Sequence, residues 1–170
     1  MSKRGRQYLG IFAAIIAYYV IHEGAHLLTA LYMGTFKQIN FMGLGIQIDV
    51  FAERMSDFQM GIFCLAGALA TLLTACILTA LCGVICRAKS KVFRAVMYYI
   101  SIVMLLLDPL YLSLLCGLFG GGDMNGISLL IPEIAARIAA GVLLVINGIV
   151  FFKAVLPTYS SSFKDMSENI

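Results

Sequence analysis

The chain has 170 residues, of which 61% are hydrophobic and 12% charged, with a mean hydropathy of +0.95 and no Trp. That is far too apolar for a soluble domain of this size, and the length allows about four membrane-spanning helices with short connections, in one integral-membrane domain covering residues 1–170. The net charge of +3 does not point to nucleic acid, because the basic residues are scattered in short segments beside apolar runs, where membrane topology accounts for them.

Tyr8 to Met33 reads as the first span, with Met1 to Arg6 as its basic flank. At full helicity it is about 39 Å long, so it tilts or extends past the hydrocarbon. The apolar run is too long for a signal-peptide core and is expected to be retained. It contains His22-Glu23-Gly24-Ala25-His26. Positions i and i+4 of a helix share a face one turn apart, so His22 and His26 can hold one zinc ion together. Glu23 beside them suits a base that takes a proton from water acidified by the metal. Charged and polar groups cost roughly 2.5–3.5 kcal/mol each at the centre of a membrane helix on insertion scales. Three of them in five residues call for a function.

The segment from Gly34 to Asp57 is of a different kind. Gly34, Gly43 and Gly45 punctuate it, and Ile46-Gln47-Ile48-Asp49-Val50 alternates apolar and polar residues as a strand does. It is expected to form either a short β-hairpin at the membrane interface or a plain interfacial loop. An edge strand there would offer a pairing site to an extended peptide. Phe58 to Cys86 is the second span, in which the small residues Ala66-Gly67-Ala68-Leu69-Ala70-Thr71 would let another helix approach closely. A basic loop with Arg87, Lys89, Lys91 and Arg94 leads into the third span, Val92 to Cys116, broken or kinked at Asp108-Pro109. Gly117 to Pro132 carries the glycine-dense turn Gly120-Gly121-Gly122-Asp123-Met124-Asn125-Gly126, Ala135 to Leu156 is the fourth span, and Pro157 to Ile170 is a polar tail. The fold class is therefore an all-α polytopic membrane protein with a hairpin after its first helix. The cysteines, Cys64, Cys76, Cys82, Cys86 and Cys116, lack the spacing of a zinc ribbon or a disulfide framework and read as packing residues; only Cys82 and Cys86 stand at i, i+4.

Four spans place the N-terminus, the basic loop and the C-terminal end on one side, with Lys3, Arg4, Arg6, Arg87, Lys89, Lys91, Arg94, Lys153 and Lys164. The other side holds Lys37, Arg54 and Arg137. The imbalance puts both termini in the cytoplasm of a cell membrane. A catalytic zinc has three protein ligands and one open position, so the two histidines need a partner. Asp123 follows the third span on the side nearer His26, in a turn able to point inward. Asp108, at membrane depth in the third span, is a second candidate for the third ligand, and its other role would be to satisfy backbone freed by Pro109. Glu53 sits in an interfacial loop, where a solvated charge is expected.

These motifs, in this order from Tyr8 to Pro132, resemble the site-2 protease family of intramembrane zinc metalloproteases, and Asp123 through Ile131-Pro132 is similar to its compact bacterial-type branch. The resemblance implies Zn2+ held by His22, His26 and Asp123, with Glu23 as general base. It also implies a membrane-spanning protein or peptide as substrate. Asn125 would stand in for the polar group that binds substrate backbone or an oxyanion; turn chemistry is its other role. The expected activity is hydrolysis of peptide bonds in or near transmembrane segments of regulatory or precursor proteins. The rival is a non-catalytic metal-binding membrane protein or an ion or metal transporter using the His-Glu-His cluster. A prenyl-protein type of membrane zinc protease would need a late Glu ligand, for which Glu133 is the only candidate and is poorly placed.

Overall fold

The computed structural model describes residues 1–42 and 45–164; Gly43 and the end of the polar tail lie outside the described residues. The element order is α1 (Lys3–Tyr32), β1 (Phe36–Met42), β2 (Gly45–Val50), α2 (Asp57–Cys86), α3 (Lys91–Leu110), α4 (Asp123–Ile127), α5 (Glu133–Val150) and α6 (Leu156–Lys164). Among the described residues, four helical segments are long and apolar enough to cross a membrane: Lys3–Tyr32, Asp57–Cys86, Lys91–Leu118 and Glu133–Lys164. Large apolar side chains cover their outer faces, among them Phe12, Val20, Leu28, Leu73, Val142 and Phe152. A continuous apolar exterior of this extent is stable only against lipid.

The hairpin expected after the first helix is present. β1 and β2 pair antiparallel from Met42↔Gly45 to Phe36↔Val50, with an irregularity between Phe36 and Gln38. Helix ends are set by caps as well as by hydropathy, and here the sequence expectations shift. Ser2 accepts a hydrogen bond from the Gly5 N–H at 3.1 Å, so α1 begins at Lys3 and the basic flank is its first turn. Ser56 and Gln59 form a reciprocal capping box that starts α2 one residue before the apolar run. At the other end of the chain, a π-helical turn over Phe151–Val155 leads into α6, where Pro157 occupies the first turn, a position that needs no N–H. The fourth span is consequently longer than the stretch from Ala135 to Leu156, and Pro157 does not end it.

Pro109 lies inside α3 and is followed by a π-helical turn, Tyr111–Leu115. Proline cannot donate to the carbonyl four residues back, which is that of Leu105. The Asn147 amide on α5 fills the gap, its Nδ2 donating to the Leu105 carbonyl at 2.7 Å. The backbone freed by Pro109 is thus satisfied by Asn147, leaving Asp108 available for another task. Replacing Asn147 with Leu leaves a buried carbonyl bare and is expected to cost about 1–2 kcal/mol of stability. Unfolding in detergent would measure it, with metal content unchanged.

The interior has two apolar clusters. One, near the hairpin, contains Ala30, Ile48, Phe63, Cys116, Met124 and Ile127. The other, toward the termini, contains Ala75, Leu78, Met104, Leu105, Phe151 and Val155. On α1, α2 and α3 the residues between the two clusters include His22, Thr71 and Asp108, all buried. This polar layer at membrane depth is where the site is built.

Candidate metal centre

His22 and His26 are only 6% and 3% exposed, one turn apart on the inner face of α1. Their rings are 4.8 Å apart. Asp123 reaches them from α4, the short helix that packs against α2. Three successive residues, Gly120, Gly121 and Gly122, have φ of 78°, 88° and 48°, a backbone path that only glycine follows without strain. It turns the chain back on itself after the third span, so that the first residue of α4 faces α1. The expected loose turn therefore contains a short helix, with Asp123 at its start.

The three ligand atoms form a nearly regular triangle. His22 Nε2 is 3.1 Å from Asp123 Oδ2, His26 Nε2 is 3.5 Å from the same oxygen, and the two Nε2 atoms are 3.2 Å apart. Ligands about 2.0–2.2 Å from a tetrahedral zinc are separated by about 3.3 Å, which matches these edges. The other nitrogen of each ring is occupied. His26 Nδ1 is 2.8 Å from the Phe63 carbonyl, which only accepts, so Nδ1 carries the proton. His22 Nδ1 is 3.3 Å from Asp108 Oδ2 and donates to it in the same sense.

With the rings neutral, both Nε2 atoms are lone pairs, and Asp123 adds a carboxylate oxygen. In that state three electron-pair donors converge on one point, an arrangement that could hold a metal ion. A shared proton bridges only two such atoms, whereas a metal ion satisfies all three at once. Burial works against ionisation of Asp123, but when no ion is bound and the His22 and His26 rings are protonated, their hydrogen bonds and charge outweigh it and hold its carboxyl down at about 2. Beside protonated rings it is an anion throughout the neutral range. Among the described residues, His22, His26 and Asp123 are the one group of three or more such side chains arranged to hold a metal ion.

The triangle opens on a cavity of about 940 Å³. Glu23 lines this cavity, adjacent to the ligands but outside their triangle, and the Ile48 backbone contributes a hydrogen bond to its carboxylate. A carboxylate only accepts, so the Ile48 N–H points away from β1. The unpaired edge of β2 therefore runs along the cavity wall, between Gly45 and Val50.

Asn125 also lines the cavity, but its Nδ2 donates to the Gly120 carbonyl at 3.0 Å and braces the glycine turn. Asp108 is not in the ligand triangle; it lies behind His22. Glu53 is exposed in a 3-10 turn, and Glu133 pairs with Arg137 at 2.8 Å at the start of α5. Cys82 and Cys86 pack against the apolar cluster near the termini, and all the cysteines are free thiols.

Two features of the site escaped sequence reasoning. Gly67, read as a general packing residue, faces the histidines: a Cβ added there would stand 2.5 Å from His26 Nε2 and 2.7 Å from His22 Nε2. Tyr18 stacks on His22, centroids 5.0 Å apart and planes 24° from parallel. Its place four residues before His22 was the available signal, since i and i+4 share a face. Comparison of the chain with protein-family models, with curated proteins and with solved structures returns no match.

Proposed function

We propose that this chain is a zinc-dependent intramembrane endopeptidase of the site-2 protease type, cutting peptide bonds in or near transmembrane segments of other membrane proteins. One observation carries the reading: the buried triangle of His22, His26 and Asp123 opens on a cavity that also holds an adjacent carboxylate, Glu23, and an unpaired strand edge, β2. A metal store or a transporter needs the first of these and not the other two.

His22, His26 and Asp123 would hold the ion and leave its cavity side free for water and substrate. Zinc bound there supplies Lewis acidity, polarising the scissile carbonyl and acidifying water. Glu23 removes the proton of the attacking water and passes it to the departing amine, so one side chain serves as base and then as acid. The substrate arrives extended, since a helix hides its peptide groups in its own hydrogen bonds. The edge of β2 gives such a strand a backbone partner beside Glu23. The lysine and arginine distribution supports an orientation with both termini in the cytoplasm and the hairpin toward the opposite face.

The test is metal analysis of purified protein in detergent, alongside cleavage of a co-expressed panel of single-span membrane proteins. The expected result is about one zinc per chain and cleavage of at least one panel member. His22→Ala, His26→Ala and Asp123→Ala should each lose both. A metal-loaded protein that transports the ion across vesicles and cleaves nothing would replace the peptidase with the transporter.

A further inference from the structure

Asp108 is the most buried carboxylate in the described chain, at 3% exposure, and three helices converge on it. From α1 the Tyr18 hydroxyl donates to Oδ1 at 2.5 Å, and His22 Nδ1–H donates to Oδ2 at 3.3 Å. From α2 the Thr71 hydroxyl donates to Oδ2. Its own helix, α3, supplies the carboxylate immediately before the Pro109 break, and Asn147 has already satisfied the carbonyl that the break frees.

Each donor could have met a backbone carbonyl at less cost than an anion at membrane depth. An anion there is justified by what the neutral alternatives lack. A carboxylate behind a ligating imidazole fixes the ring's tautomer and orientation and makes the ring a stronger electron donor. His26 has a different arrangement: its Nδ1–H meets the neutral Phe63 carbonyl. The two histidine ligands are therefore unequal, and Tyr18 packing flat against the His22 ring limits its rotation.

We infer that Asp108 is a positioning residue of the metal centre: held by Tyr18 and Thr71, it fixes His22 with Nδ1 protonated and Nε2 aimed at the ion. The inference rests on the proposed metal site, and it adds a residue that touches neither metal nor substrate. Asp108→Asn keeps the volume but removes the charge and one accepting oxygen, so the amide must present N–H groups to donors. Zinc affinity is expected to fall by roughly 10- to 100-fold.

The chain contains only two histidines, His22 and His26, so selective ¹⁵N-histidine labelling gives two sets of ring signals. In zinc-loaded wild type both rings should show a protonated Nδ1, the His22 proton standing further downfield because its acceptor is charged. In Asp108→Asn the His22 Nδ1–H signal should move upfield while that of His26 stays in place, and zinc affinity, measured by chelator competition, should drop. Asn147→Leu serves as the comparison: it loosens the same bundle without touching His22, so loss of stability alone should leave both ring signals unmoved. Asp108→Asn with zinc affinity within twofold of wild type and an unmoved His22 signal would overturn the inference and leave the metal site standing. Should Asp108→Asn fail to fold, wild type alone decides: a His22 ring bound through Nδ1, or lacking the downfield Nδ1–H, overturns it. Absence of stoichiometric zinc in wild type removes the proposed function first and this inference with it.

Discussion

Glu23→Gln is expected to keep about one zinc per chain and to lose cleavage by roughly 10²- to 10⁴-fold, the contribution of a positioned general base. Glu23 is outside the triangle formed by His22, His26 and Asp123, so the amide removes no ligand. Gln has nearly the volume of Glu and retains a carbonyl oxygen for the hydrogen bond from the Ile48 backbone, so the contact between α1 and β2 survives. What disappears is the ability to accept a proton. The separation of the two readouts gives the experiment its force: His22→Ala should abolish metal and cleavage together, Glu23→Gln cleavage alone. Zinc loss in Glu23→Gln would make Glu23 a ligand and redraw the centre. Retained cleavage would move the base elsewhere in the cavity, and no other side chain among the described residues that line it combines an unligated carboxylate with this proximity to the two histidines.

The spans and the pair of histidines were legible because their signals are local. Apolar length forces a crossing of the bilayer, and i, i+4 spacing places His22 above His26 whatever the rest of the chain does. The alternation from Ile46 to Val50 announced β2 for the same reason. Helix ends were less legible, since Ser2 and the π-helical turn at Phe151–Val155 override the hydropathy boundary. Relations between distant segments were least accessible. Pro109 tells a reader that the Leu105 carbonyl is orphaned, yet nothing in the sequence says that Asn147, 42 positions away, will meet it. Asp108 is visible as an intramembrane carboxylate that needs a purpose, and the sequence allows it as a third ligand. Its place behind His22 depends on how α1 and α3 are rotated about their axes, which hydropathy does not fix.

Gly67 shows the same limit with a sharper consequence. The run from Ala66 to Thr71 reads as a surface for close helix packing, and within it Gly67 is indistinguishable from its neighbours. In the bundle, however, Gly67 stands opposite the imidazoles, and a methyl there would lie 2.5 Å from His26 Nε2 and 2.7 Å from His22 Cε1 and Nε2. Those are the atoms that would converge on a bound ion. Neither ring can retreat freely: His26 is tied to the Phe63 carbonyl, and His22 is confined between Asp108 and the face of Tyr18. Overpacking of this kind costs roughly 1–3 kcal/mol, and because the strain falls on the ligand atoms it should weaken metal binding directly. Gly67→Ala is therefore expected to lower zinc affinity by roughly 5- to 150-fold. Ala68→Gly, next along the helix, should change zinc affinity little. Chelator competition on the two purified variants measures the difference. Equal zinc affinity in Gly67→Ala and wild type would mean that α2 does not pack against the ligand face of α1 as described, and the triangle would have to be rebuilt from another arrangement of the helices.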